Sequence, residues 1–173
     1  MRKLILVAII FSLTTCEHLD EMTEFDLDYE TSFTIPGTLA IDTPFSISTP
    51  EIETNTSQEF SQNNTSADLI EEITLTGLNM TISSPQDSDF SFLNDIEVYL
   101  GADGMNDTLI ASRNSIPDDV GSTLELQTTS VDLKEYLLKD SFQVKVTVTT
   151  DETINQDHEI DLYTKFIVDA EIL

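Results

Sequence analysis

Hydrophobic and polar residues alternate in short runs along most of the chain. The clearest run is 142–148, where Phe142, Val144, Val146 and Val148 alternate with Gln143, Lys145 and Thr147. Successive side chains of a strand point to opposite faces, so this pattern predicts a half-buried β-strand. Residues 159–172 predict the last strand, with Ile160, Leu162, Phe166, Val168 and Ala170 on a face interrupted by Thr164. Tyr163 and Ile167 belong to its other face. Residues 73–82 predict a long strand whose phase shifts at Gly77, with Ile73 and Leu75 before the shift and Leu78, Met80 and Ile82 after it. A β-bulge there returns both groups to one face. Ile96, Val98 and Leu100 form a further alternating strand, followed by a turn over 101–107 and a strand at Leu109 to Ala111. Leu124 and Leu126 mark a short one. Phe33 and Ile35 share a face just before the turn-forming Pro36-Gly37, and folded structure is expected to start near Tyr29.

Helical signals are few. Ser66 is placed to cap a turn over 67–72, and Ser130 to cap a helix over 131–138 with Asp132 in its first turn. The segment 53–66 is rich in Thr, Ser, Asn and Gln, and Phe60 is its only large apolar residue; it reads as a long loop or a poorly buried edge. Short strands at this spacing, enriched in β-branched and aromatic residues, predict an all-β fold. The expected form is an antiparallel β-sandwich, immunoglobulin-like or similar, with one or two short helices. An open barrel is the alternative.

The first residues, MRKLILVAIIFSLTTC, have a different pattern. Arg2 and Lys3 precede an apolar run, Leu4 to Leu13, in which only Ser12 is polar, and small residues follow. This is the order of a secretory signal peptide, and the run is far shorter than the roughly 20 residues of a membrane-spanning helix. Leu13-Thr14-Thr15-Cys16 resembles the lipobox of bacterial lipoproteins, departing from it in having Thr15 rather than Gly, Ala or Ser before the cysteine. The resemblance implies cleavage before Cys16 and a diacylglycerol on its thiol. Anchoring then comes from covalent lipid, since two or more acyl chains hold a protein stably at a membrane. It places the protein in a bacterial cell envelope, lipid-anchored at the outer membrane. Cys16 is the single cysteine, so the domain's stability must come from its packed core.

Charge agrees with that placement. The chain has 33 acidic and 7 basic residues, and without Arg2 and Lys3 five basic residues remain, a net charge of −28. Phosphates demand a basic surface, so nucleic acid is excluded as a partner, and so is electrostatic adsorption to anionic lipid. Seven of the fourteen residues 17–30 are acidic, which predicts a solvated tether over 16–30 ahead of a single domain over 31–173, with the signal peptide at 1–15. Asp20 and Glu21 are similar to the acidic surface-export signal of Bacteroidetes lipoproteins.

Candidate chemistry is sparse. His18 falls in the tether, and His158 is expected to be exposed at the mouth of the last strand. No cysteine other than Cys16 and no G-x-S-x-G elbow is available for nucleophilic catalysis, and the zinc-binding residues are too few for a site. Asp103 and Asp107, in the turn GADGMND, are the candidate calcium ligands, though without the spacing of a known calcium loop. Asp26, Asp28 and Glu30 recur at period two and would share a strand face. Asp107-Thr108-Leu109 is similar to the O-glycan acceptor of Bacteroidetes, with Thr108 as acceptor. No cofactor is implied. The expected function is a non-catalytic binding or scaffolding module whose partner is an envelope protein or a glycan. A hydrolase of envelope or environmental glycans that works with carboxylates alone is the alternative.

Overall fold

Inward-facing apolar residues on two long strands organise the molecule. The structure, a computed structural model, describes residues 24–171. One sheet has the order β1 (Glu24–Ile35), β10 (His158–Ala170), β4 (Ile70–Ser84), β7 (Thr123–Glu125). The other runs β2 (Phe45–Ser48), β9 (Ser141–Thr150), β5 (Leu93–Ala102), β6 (Thr108–Arg113), β8 (Gln127–Thr128), and β3 (Ile52–Glu53) pairs with the same edge strand partner, β9. Every strand pairing is antiparallel. The fold is thus an all-β sandwich, with two short helices, α1 (Thr56–Gln62) and α2 (Lys134–Leu137), and a 3-10 turn at Ala67–Leu69. Among the described residues no hydrogen-bonded strand pair joins the two sheets, so the open-barrel alternative is set aside.

The phase shift in β4 is a bulge. Lys165 of β10 faces Gly77 and the next residue, Phe166, faces Leu75, leaving Thr76 as the extra residue. Ile73, Leu75, Leu78, Met80 and Ile82 are consequently all buried. Thr76 Oγ1 donates to the carbonyl of Lys165, 3.2 Å away, which compensates for the interrupted ladder. A bulge in β6 leaves Ile110 extra between Ala111, opposite Val98, and Leu109, opposite Tyr99, so that Ile110 and Ala111 are both buried. Thr164 interrupts the apolar face of β10 and is buried, and its hydroxyl donates to the Tyr29 carbonyl at 3.3 Å. A buried hydroxyl is tolerated when it is hydrogen-bonded in this way.

Three expectations change. Residues 24–30, assigned to the tether, belong to β1 and pair in register with 163–169. Leu27 is buried there, and the Tyr29 ring stands edge-on to Phe142 (5.0 Å) and Phe166 (5.9 Å), bridging the two sheets. The polar segment 53–66 is not a loop: it supplies the end of β3 and all of α1, whose Phe60 is buried edge-on to Phe25 at 6.1 Å. Neither serine caps a helix as expected. Ser66 makes no side-chain cap bond, and its 3-10 turn gives way to strand at Ile70. In place of Ser130, Asp132 Oδ1 accepts the N–H of Lys134 (2.9 Å) and that of Ile73 (3.2 Å), tying α2 to β4.

Two positions set measurable expectations. A Cβ on Gly37 would meet the backbone of Gln156 at 2.5 Å, whereas one on Gly121 would meet nothing within 4 Å. Gly37→Ala should therefore lower the urea midpoint by the equivalent of about 1–3 kcal/mol, the range for overpacking, while Gly121→Ala leaves it within about 0.5 kcal/mol. Thr150 is 1% exposed and its hydroxyl has no hydrogen-bond partner. Thr150→Val keeps the shape and removes the unpaired group, so the midpoint should rise by about 1 kcal/mol at an unchanged m-value.

Candidate functional site

Cys16, Asp20, Glu21 and His18 lie outside the described residues. The remaining candidates fall at three places on the sandwich.

One end carries a polar groove of about 530 Å³ between β3, the start of α1 and the α2–β9 turn, with Glu51, Glu53, Lys139 and Asp140 among its walls. Thr54 locks it together: its hydroxyl donates to the Lys139 carbonyl at 2.7 Å and its N–H to the Asp140 carbonyl at 3.0 Å. Below, the Tyr29 hydroxyl donates to the Thr54 carbonyl at 2.8 Å. Burial, aided by the charge of Glu59, pushes that phenol well above its ordinary range, so it stays protonated and serves as a strut. The groove gathers three carboxylates and one ammonium, a lining suited to a polar ligand.

A smaller cleft of about 230 Å³ adjoins it, sharing Glu51 and Ser141. Asp103 and Asp107 line this cleft at the β5–β6 turn. The Asp107 carboxylate forms an ion pair with Lys145, whose Nζ also stands 5.3 Å from the centroid of the Tyr99 ring. Its charge is thereby committed. Among the described residues no group of three or more His, Cys, Asp or Glu is placed to hold a metal ion. Thr108 opens β6 opposite Leu100, half-buried next to this cleft.

At another place in the fold His158 is 4% exposed, not at the surface as expected. It starts β10 on the same parity as Ile160 and Leu162, and that parity turns it inward. Its Nδ1–H donates to the Gln156 carbonyl at 3.1 Å, leaving Nε2 to accept the Ser88 hydroxyl at 3.2 Å; the ring packs on Phe92 at 4.7 Å. Burial holds its pKa below the ordinary value, with the Gln156 carbonyl and Asp157 opposing. Its Nδ1 partner is a backbone carbonyl where a catalytic triad would place a carboxylate, so the arrangement is a clamp between the 85–89 and 151–158 loops.

The third place is the outer face of the β1–β10–β4–β7 sheet. Glu30 and Ser32 of β1, Asp161 and Tyr163 of β10, and Asn79 and Thr81 of β4 border a depression of about 650 Å³. Alongside, the Tyr163 hydroxyl donates to Asp28 at 2.8 Å and Lys165 pairs with Asp26 at 2.7 Å. Sequence parity puts each of these residues on an outer face; the strand order that joins them is the part the pattern lacks.

No protein-family model matches the chain, and no curated protein matches it. Among solved structures the chain is similar to part of an arabinose-bound α-L-arabinofuranosidase, at 10% identity and a TM-score of 0.37, covering 84% of this chain. It spans 23% of the length of that enzyme chain. It is also similar to the empty head of turnip yellow mosaic virus (10% identity, TM-score 0.31, 100% of this chain and 92% of that one). Cocksfoot mottle virus follows (9% identity, TM-score 0.28, 87% and 86%). These TM-scores are too low to assign a shared fold or function.

The His158 clamp has a pH signature. Above an ordinary imidazole pKa of about 6.5, folded and unfolded chains both hold it neutral. Below that, the unfolded chain takes up a proton that the folded chain resists, so stability falls as pH drops. Urea midpoints measured at pH 5 and pH 8 should differ less for His158→Gln than for the parent; equal differences would show that His158 carries none of the acid sensitivity.

Proposed function

We propose that this protein is a lipid-anchored binding module of the bacterial outer membrane, held there through Cys16, with an envelope protein or a glycan as its partner. The observation that carries the reading is Leu13-Thr14-Thr15-Cys16 at the end of a short apolar run. Strand β1 begins at Glu24, eight residues beyond Cys16. A chain that long reaches under about 30 Å even when fully extended, so the anchor keeps the sandwich close to the bilayer. The acidic surface opposes adsorption to anionic lipid, which leaves the faces and ends of the sandwich free for a partner. The lined depressions are polar, and the part-buried Ser88–His158 pair is used as a clamp. Thr108, at the start of β6, is the proposed O-glycan acceptor.

Cells grown with labelled palmitate test the anchor. The parent protein should take up label and sediment with membranes, and Cys16→Ser should be unlabelled and soluble; label or membrane retention in Cys16→Ser would sink the reading. The hydrolase alternative draws on the carboxylates of the end groove. A polysaccharide panel should show no turnover, and turnover lost in Glu53→Gln would replace binding by catalysis.

A further inference from the structure

We propose that the outer face of the β1–β10–β4–β7 sheet binds a neutral oligosaccharide, with the Tyr163 ring as its platform. This rests on the binding-module reading and gives it a site and a ligand class.

The geometry of Tyr163 comes first. Side chains of a strand normally stand roughly perpendicular to the sheet. Tyr163 sits opposite Glu30, yet its hydroxyl is bound to Asp28, the residue opposite Lys165. To reach one diagonal step along the neighbouring strand, the ring must lean across the sheet surface. Its hydroxyl is then occupied on the Asp28 side, and the half-buried ring stands at the border of the depression. A pyranose ring has one face of C–H groups, apolar and slightly positive, which fits the negative face of an aromatic ring.

The rest of the lining fits the hydroxyl groups of the same ligand. Asn79 supplies an amide donor and acceptor, Ser32 and Thr81 supply hydroxyls, and Glu30 and Asp161 supply acceptors for sugar hydroxyls. Asp161 is itself positioned by Ser83, whose hydroxyl lies 3.3 Å from Oδ1, and Thr81 by the Thr123 hydroxyl at 3.4 Å. A volume of about 650 Å³ falls within the range of small-ligand sites, about 300–1,000 Å³.

Other ligand classes fit less well. No Lys or Arg borders the depression, and the nearby Lys165 is committed to Asp26, so an anionic ligand would meet two uncompensated carboxylates. An extended peptide needs a free strand edge for its backbone. Here β10 is paired on both sides, to β1 and β4, and β4 to β10 and β7, so a peptide strand would add at an outer edge such as that of β1, on the side of that strand away from Tyr163. An apolar ligand would bury carboxylates without partners.

The test uses the full-length protein in detergent micelles and calorimetric titration with cellohexaose, xylohexaose, mannohexaose and maltohexaose. Polygalacturonate fragments and spermine serve as the anionic and cationic probes. At least one neutral hexaose should bind, with affinity persisting at 0.5 M salt, where charge interactions are screened beyond about 4 Å. Tyr163→Ala should weaken binding about tenfold or more, the loss of one stacking contact together with the positioning it gives. Tyr163→Phe, which keeps the platform, should stay within about threefold. Asn79→Ala should weaken binding without changing the urea midpoint. Binding of none of the four hexaoses overturns the proposal, as does binding only of spermine or only of polygalacturonate, or undiminished binding in Tyr163→Ala. Hexaose binding abolished by Glu53→Gln instead would move the site to the end groove: the binding-module reading would survive and this inference would not. Loss of palmitate labelling from the parent protein would strike the anchor alone.

Discussion

The inward face of β4 depends on extra residues at its phase shifts, Thr76 in the middle of the strand above all. A strand sends alternate side chains to one face, so Ile73 and Leu75 cannot share a face with Leu78, Met80 and Ile82 on a regular strand. Without Thr76 as a bulge, either the first pair or the following three would turn to solvent, and each exposed large side chain forfeits about 1.5–3 kcal/mol of burial. The bulge lies against β10, the partner of β1 as well, so it fixes how the middle of β4 meets the strand that joins it to β1. Asn79 and Thr81 follow it directly, in the part of the strand where a bulge increases the local twist.

Polar groups buried in this core separate into those that the fold uses and one that it does not. Thr164, Thr54, Thr65 and Thr49 each donate to a backbone carbonyl that no ladder claims or that joins distant segments: Thr65 holds Glu171, and Thr54 holds the turn before β9. His158 does the same with a ring, at the cost of being kept neutral. Thr150 alone among these hydroxyls lacks a partner. The pattern explains how a sandwich with no disulfide among its described residues ties its connections: side-chain hydroxyls fasten loop to strand where the sheets themselves cannot reach.

Much of this was legible from alternation, and the failures have physical causes. Strands β9 and β10 are plain because one face of each is apolar over most of its length. The beginning of β1 was missed because Glu24, Asp26, Asp28 and Glu30 made 24–30 look like solvated chain, although Phe25, Leu27 and Tyr29 alternate with them at strand period. The acids occupy the exposed outer face, and only the inner positions had to be apolar. Helix α1 was invisible for the opposite reason: it buries Thr56 and Phe60 alone, too narrow a stripe to register as periodicity. His158 looked exposed between Asp157 and Glu159, yet its parity with Ile160 and Leu162 was the better guide. The outer-face residues could each be assigned a face, but Glu30, Asn79 and Tyr163 become neighbours only through the order β1–β10–β4, which pattern alone does not encode.

Charge then decides what the surface can do. Among the described residues the basic side chains are few and mostly committed: Lys145 to Asp107, Lys165 to Asp26, Lys134 to the Ile70 carbonyl and Arg113 to the Glu125 carbonyl. Free cationic groups for an acidic partner are therefore scarce, and two copies of the chain approaching face to face repel through 33 acids each. A partner that escapes this field must be neutral, or basic and willing to displace those pairs. Glu30, opposite Tyr163, is six residues along β1 from Glu24, or roughly 20 Å at about 3.4 Å per residue. On the proposed anchor at Cys16, that distance adds to a tether of under about 30 Å, which puts the Tyr163 face within about 50 Å of the bilayer. A neutral, hydroxyl-rich ligand meets no repulsion from the acidic field of the protein or from a nearby anionic surface, and it displaces none of those ion pairs.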